Sequence, residues 1–343
     1  VETNFLRKHK PLLIFGAILL IGALVFSNKK IDIKNSLTKQ TSFPSHSVNL
    51  GKNVLNLQRL RIPSITTYSQ DKILNFFIQN RTYYIALRSG DNNSSSLYAF
   101  DRKDNALLTQ KNFGENGVMT FKTKMLLSIT RGIDGEIYYI RHGVHALKNG
   151  NDVVSYKDKT TATKIALLPG EHQAYLYGND NFTLADIKDN AFENKHGGFL
   201  DNRAAPFHGG LTLVQINNDG SIYGGGRIVP NGPNQIAGFT KAGKLIKKYG
   251  GVKQTAKDSI SNLIDMTILK NYICVIDGFN IKIWRKDGTY LGHLDNVELL
   301  GENFSSYKLA PLDDNTLGIL AYQRSGKTKL MDIAIFSLTL PVK

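Results

Sequence analysis

The sequence predicts an all-β fold built from six four-stranded repeats, on the strength of two periodic signals and one composition. The first signal is a tight turn that returns six times, at Asn80-Arg81, Asp134-Gly135, Gly170-Glu171, Asp219-Gly220, Lys270-Asn271 and Asp314-Asn315. Strand formers resume after each: Tyr83-Tyr84-Ile85, Ile137 to Ile140, Tyr175-Leu176-Tyr177, Ile222-Tyr223, Tyr272 to Val275 and Leu317 to Leu320. The turns recur on average about every 47 residues, within the range of β-propeller blades. In composition, 31 Gly and 15 Tyr against nine Pro suit many short strands joined by tight turns.

The second signal runs in step with the first. A further strand end follows each of the first five turns, usually with a lysine-rich turn. These read Phe100 to Asn105, Tyr156 to Lys159, Ala185 to Asn190, Phe239 to Gly243 and Trp284 to Gly288. Gly, Asn and Asp belong there because tight hairpins need positive φ, which costs those residues least. Each repeat is therefore two hairpins in series, an antiparallel blade that cannot bury both faces alone.

The sixth repeat reaches Ile333 to Leu338 without an outer strand to follow. The expected donor is Ser47 to Leu50 through Val54 to Leu57, where apolar residues partly alternate with polar ones. Pairing it into the last repeat would close a six-bladed β-propeller over residues 47–343 and leave no long open edge.

The repeats resemble NHL-type repeats and, more broadly, six-bladed bacterial propellers. The residues that carry the resemblance are Gln215 to Tyr223 with Ala237 to Leu245, Lys248-Tyr249-Gly250-Gly251, and Tyr272 to Gly278 with Ile281 to Gly288. It spans roughly residues 70–340 and is sharpest in the fourth and fifth repeats. The third, around His172 to His196, departs most, with no Asp-Gly pair. The resemblance implies a fold and leaves the activity open, because propellers host many unrelated functions.

The N-terminus is a different object. Residues 1–10 form a basic tail that ends Phe5-Leu6-Arg7-Lys8-His9-Lys10. The sixteen residues Pro11 to Phe26 that follow carry no charge. As a helix they cover about 24 Å, slightly short of the roughly 30 Å hydrocarbon core of a bilayer. Lys29-Lys30 directly afterwards is unfavourable for a mature N-terminus, so the expectation for 11–26 is an uncleaved signal-anchor transmembrane helix. Residues 27–46 read as a polar stalk. Lysines and arginines flank both ends, and the short basic tail places the propeller on the extracytoplasmic side of the cell membrane.

Net charge is +15, and residues 47–343 alone hold 36 Lys and Arg against 26 Asp and Glu. Such a surface attracts anionic partners, here a protein or an anionic cell-envelope ligand in addition to the membrane. A lysine-rich composition throughout the chain explains the same excess. No basic run is interleaved with aromatics, so no nucleic-acid partner is expected. Cys274 is the single cysteine; it excludes an intrachain disulfide and reads as a buried structural thiol inside Tyr272 to Ile276.

Chemistry is thinly signalled. No Gly-x-Ser-x-Gly elbow is present, and Ser325-Gly326-Lys327-Thr328 lacks the first glycine of a P-loop. No cofactor is indicated. Gly224-Gly225-Gly226 reads as a bulge or a close backbone approach. The weak metal candidates are His142, His145, His208 and Asp277, which could meet at a central channel as ligands do in some propeller enzymes. His142 and His145 would face opposite sides of a strand and could converge only from a loop. The candidate binding loop is Glu193 to Gly210, with Phe199, Asp201, Arg203, Phe207 and His208, since loops this long in compact domains are usually functional. Ser89 to Ser96 is a second polar tip. The reading is a membrane-anchored binding or scaffolding module. The alternative is a hydrolase or lyase with a metal in the channel, and a sensor or accessory subunit of a membrane complex is a third.

Overall fold

The computed structural model describes residues 46–342 with internal interruptions, the longest at 104–117 and 198–206. The basic tail, the expected membrane helix and all but the last residue of the stalk lie outside the described residues. Among those described, no helix is long and apolar enough to cross a membrane.

The fold is all-β, in small antiparallel sheets. The chain opens with β1 (His46–Leu50), β2 (Asn53–Leu60) and the short β3 (Thr67–Tyr68). The first sheet holds β4 (Lys72–Gln79), β5 (Thr82–Arg88), β6 (Ser95–Asp101) and β7 (Val118–Phe121). The second holds β8 (Ser128–Arg131), β9 (Ile137–Ile140), β10 (Val144–Lys148) and β11 (Asn151–Tyr156). The third holds β12 (Lys164–Leu167), β13 (Gln173–Gly178), β14 (Asn181–Lys188) and β15 (Ala191–Gly197). The fourth holds β16 (His208–Ile216), β17 (Ile222–Arg227), β18 (Asn234–Phe239) and β19 (Leu245–Tyr249). The fifth holds β20 (Leu263–Ile268), β21 (Tyr272–Asp277), β22 (Asn280–Arg285) and β23 (Tyr290–Asp295). One helical turn, α1 (Asn296–Leu300), follows, capped by the Asp295 carboxylate accepting from the Val297 N–H at 2.7 Å. The sixth sheet joins β24 (Phe304–Pro311), β25 (Thr316–Arg324) and β26 (Leu330–Thr339) to β2, with β1 beyond it and β3 beside β26.

In every sheet the strand after the recurrent turn is the second one. Its residues are buried on both faces, as in β21, where all six are buried, whereas β19 at a sheet's outer edge is mostly exposed. Both faces are covered because each sheet packs between two others. Six apolar clusters among the described residues make those interfaces. Tyr84 and Leu97 meet Ile129 and Tyr139; Tyr138 and Ile140 meet Ile165 and Leu176; Tyr175 and Tyr177 meet Ile222 and Phe239. Tyr223 and Ile236 meet Met266 and Trp284; Cys274 and Ile283 meet Ile319, Leu338 and Leu57. The sixth cluster joins Leu320 and Ile335 of the last sheet to Ile85 and Phe100 of the first. The first strands follow the same cycle: β4 touches β8, and so on through β12, β16, β20 and β24, which touches β4.

Turn chemistry explains the repeat. Gly220 sits at φ 80°, and the Asp219 carboxylate accepts from the Ser221 N–H at 2.8 Å, so Asp-Gly turns β16 into β17. Arg81 takes the same left-handed region at φ 62° without being glycine. Gly224 to Gly226 lie inside β17, where side chains crowd in from both faces. A Cβ on Gly224 would lie 2.7 Å from Leu211, and one on Gly225 2.7 Å from Leu263.

Two expectations are corrected. Tyr156 ends the fourth strand of the second sheet, while its third strand ends at Lys148. The signal missed there was Asn149-Gly150, a strong hairpin pair. The long excursion expected from Glu193 to Gly210 is shorter, because Glu193 to Gly197 pair with β14 as part of β15 and His208 to Gly210 open β16.

Candidate functional site

A cavity of about 350 Å³ is lined by the first strands of all six sheets. Polar residues at one register position build it. Asn75, Lys164, Asp265 and Lys308 each pair with the fifth residue of the strand that follows, namely Ala86, Tyr177, Ile276 and Leu320. In β4, β20 and β24 a register shift immediately precedes this residue. A bulge re-aims a side chain out of strict alternation, which lets a polar group leave an otherwise apolar strand for the cavity.

Three of the four reach the next sheet. The Asn75 amide donates to the Ile129 carbonyl at 2.8 Å. Lys164 Nζ donates to the Thr212 carbonyl, and Asp265 Oδ2 accepts from the Leu309 N–H at 2.7 Å. First strands have an unpaired edge toward the cavity, so their backbone groups need such partners. Asp265 Oδ1 lies 3.5 Å from Lys308 Nζ. Burial pushes the Asp265 carboxyl up, against the pull of Lys308, the Leu309 N–H and Lys164. Burial also lowers Lys164 to about 8, helped by the charge of Lys308 and opposed by Asp265. Lys164, Lys308 and Asp265 are the only charged residues among the described lining, so the cavity carries excess positive charge.

The described residues among those singled out from the sequence lie elsewhere. His145 stands in β10, bonded through Nε2 to the Arg141 carbonyl at 2.9 Å and stacked on Tyr139 at 4.9 Å. Asp277 accepts from the Ser261 and Asn262 N–H groups at 3.0 and 2.7 Å and pairs with Lys282 at 2.7 Å. His208 is exposed at the start of β16. Phe207 packs 6.5 Å from Phe239, within the cluster between the third and fourth sheets. His142, Phe199, Asp201 and Arg203 lie outside the described residues. Among the described residues no three His, Cys, Asp or Glu side chains gather as metal ligands would. Cys274 is buried and free, its thiol pushed up by burial.

Sequence reasoning passed over the four cavity residues although a signal was present. Each is a lone Asn, Lys or Asp in a strand, five or six residues before the recurrent turn.

No protein-family model matches the chain, and no curated protein matches it. Among solved structures the chain is similar to one described as KlHsv2 with loop 6CD replaced by a Gly-Ser linker. The identity is 10% and the TM-score 0.47, over 77% of this chain and 97% of that one.

Proposed function

We propose that the chain is a six-bladed β-propeller of NHL type, closed by β2 and held at the cell membrane by residues 11–26. Its propeller faces the extracytoplasmic side and serves as a binding or scaffolding module for a protein or an anionic cell-envelope ligand. The cyclic contacts of the six first strands and the six inter-sheet clusters support the architecture. One observation carries the binding role. Phe279, 74% exposed, and Val297, 54% exposed, lie on adjoining segments tied by the Asn296 N–H donating to the Phe279 carbonyl at 3.0 Å. Apolar side chains grouped in solvent mark contact surfaces.

Two measurements test this reading. Protease added to intact cells should digest the propeller but not the basic tail; a fully protected chain overturns the orientation. Cell envelopes stripped of the native protein should retain the added chain, and Phe279→Asp with Val297→Asp should release it. Retention unaffected by that pair overturns the binding face.

A further inference from the structure

We infer that the cavity between the six first strands is a binding site for a small oxyanion, held by the ammonium groups of Lys164 and Lys308. The argument begins with donors and acceptors. Each ammonium has three N–H donors. Lys164 directs one at the Thr212 carbonyl, and Lys308 lies against Asp265 Oδ1. Asp265 is the single carboxylate among the described lining residues, and its other oxygen is already taken by the Leu309 N–H. One carboxylate therefore serves two ammonium groups.

Chemistry selects the ligand class. A cation is repelled from such a cavity, and an apolar molecule would strip water from two charges without replacing it. An oxyanion supplies several acceptor oxygens and the missing negative charge together. Ser128, Thr130, Gln215 and Thr267 line the same space with neutral hydrogen-bonding groups. The volume of about 350 Å³ falls at the small end of ligand pockets, which suits a tetrahedral oxyanion or a short dicarboxylate. Burial first, and the neighbouring Lys308 ammonium second, lower Lys164, and a bound anion would draw it back up. This inference shares the arrangement of sheets with the proposed function but needs neither the anchor nor the partner, so either can fail alone.

The test is calorimetric titration of the full chain in detergent, with sulfate in one arm and succinate in the other to separate tetrahedral from carboxylate ligands. Saturable binding of either probe at one per chain is expected. It should weaken by about tenfold or more in Lys164→Met and in Lys308→Met, as loss of one charge partner would cause. It should be unchanged in Lys247→Met, which alters the outer strand β19. No saturable binding of either probe, or equal weakening by Lys247→Met, overturns the site. Should a cavity variant fail to fold, the unaltered chain decides the matter at pH about 8 in two buffers of different ionisation enthalpy. Proton uptake on binding is expected as Lys164 regains its proton. Binding without uptake overturns the assignment.

Discussion

Two carboxylates of the fifth sheet are buried and each faces a lysine, yet their surroundings differ. Asp277 sits 2.7 Å from Lys282, and its other oxygen accepts from two backbone N–H groups, those of Ser261 and Asn262. Lys282 in turn donates to the Ser259 carbonyl. Asp265 is 3.5 Å from Lys308, receives one backbone N–H, and has a second lysine nearby. The first group closes on itself and ties the segment before β20 to β21 and β22. The second leaves donors turned toward a cavity. A buried charge whose hydrogen bonds are all met is part of the scaffold; one that shares too little countercharge leaves room for a ligand.

The largest test of that contrast is truncation of each carboxylate. Asp277→Ala strands Lys282 and two backbone N–H groups, so urea unfolding should show a loss of about 3–5 kcal/mol. Asp265→Ala opens onto a cavity that water can enter and should cost less, about 1–3 kcal/mol. Equal losses would erase the distinction. A double-mutant cycle sharpens it: coupling of Asp277 with Lys282 should reach about 2–3 kcal/mol, against about 1 kcal/mol or less for Asp265 with Lys308.

The pH dependence carries a smaller effect. Lys164 is lowered to about 8 in the folded chain, whereas the unfolded chain keeps that proton up to the ordinary lysine range. Between those two values the unfolded state binds more protons, so stability rises with pH across the window. The full penalty is present below pH about 8 and is gone above the ordinary value. Partial exposure of the side chain and solvent screening reduce it to about 1–2 kcal/mol. The stability difference between the unaltered chain and Lys164→Met, measured from pH 7 to 10.5, should grow in favour of the unaltered chain as pH rises. A flat difference would place Lys164 in bulk water.

The smallest expected effect is on Cys274. Its thiol is buried among Ile283, Leu338 and their neighbours, so alkylation requires the fifth sheet to open. Asp265→Ala should leave the labelling rate nearly unchanged, while Asp277→Ala should accelerate it.

The all-β class and the recurrent second strands were legible because they rest on local rules: positive φ at Asp219-Gly220, and continuous burial of Tyr272 to Asp277. Trp284, at the strand end read from the sequence, packs between the fourth and fifth sheets. The cavity was not read, because its chemistry depends on placing side chains from strands some 40 to 100 residues apart at one level. Asp265 and Lys308 mean nothing singly; bulges in β20 and β24 bring them together. Histidines stand out instead, since imidazoles advertise chemistry in a sequence. His145 shows why that is a weak signal, as a ring stacked on Tyr139 inside a strand needs no ligand to explain it.

The pairing of β2 with β26 sets a schedule for the newborn chain. Leu57 lies opposite Leu338, and Leu60 opposite Ile335, so the sixth sheet draws strands from the two ends of the described residues. During synthesis the first strand of that pair waits, its edge unsatisfied, until β26 has left the ribosome. Loop-closure entropy grows only slowly with length, so the delay is a matter of time more than of free energy. Through that interval β2 is an open strand edge available to wrong partners, including the same segment of a neighbouring nascent chain. A ribosome stalled within the final strand should therefore hold five sheets and one unprotected edge, which pulse proteolysis of arrested chains would detect as cleavage near β2.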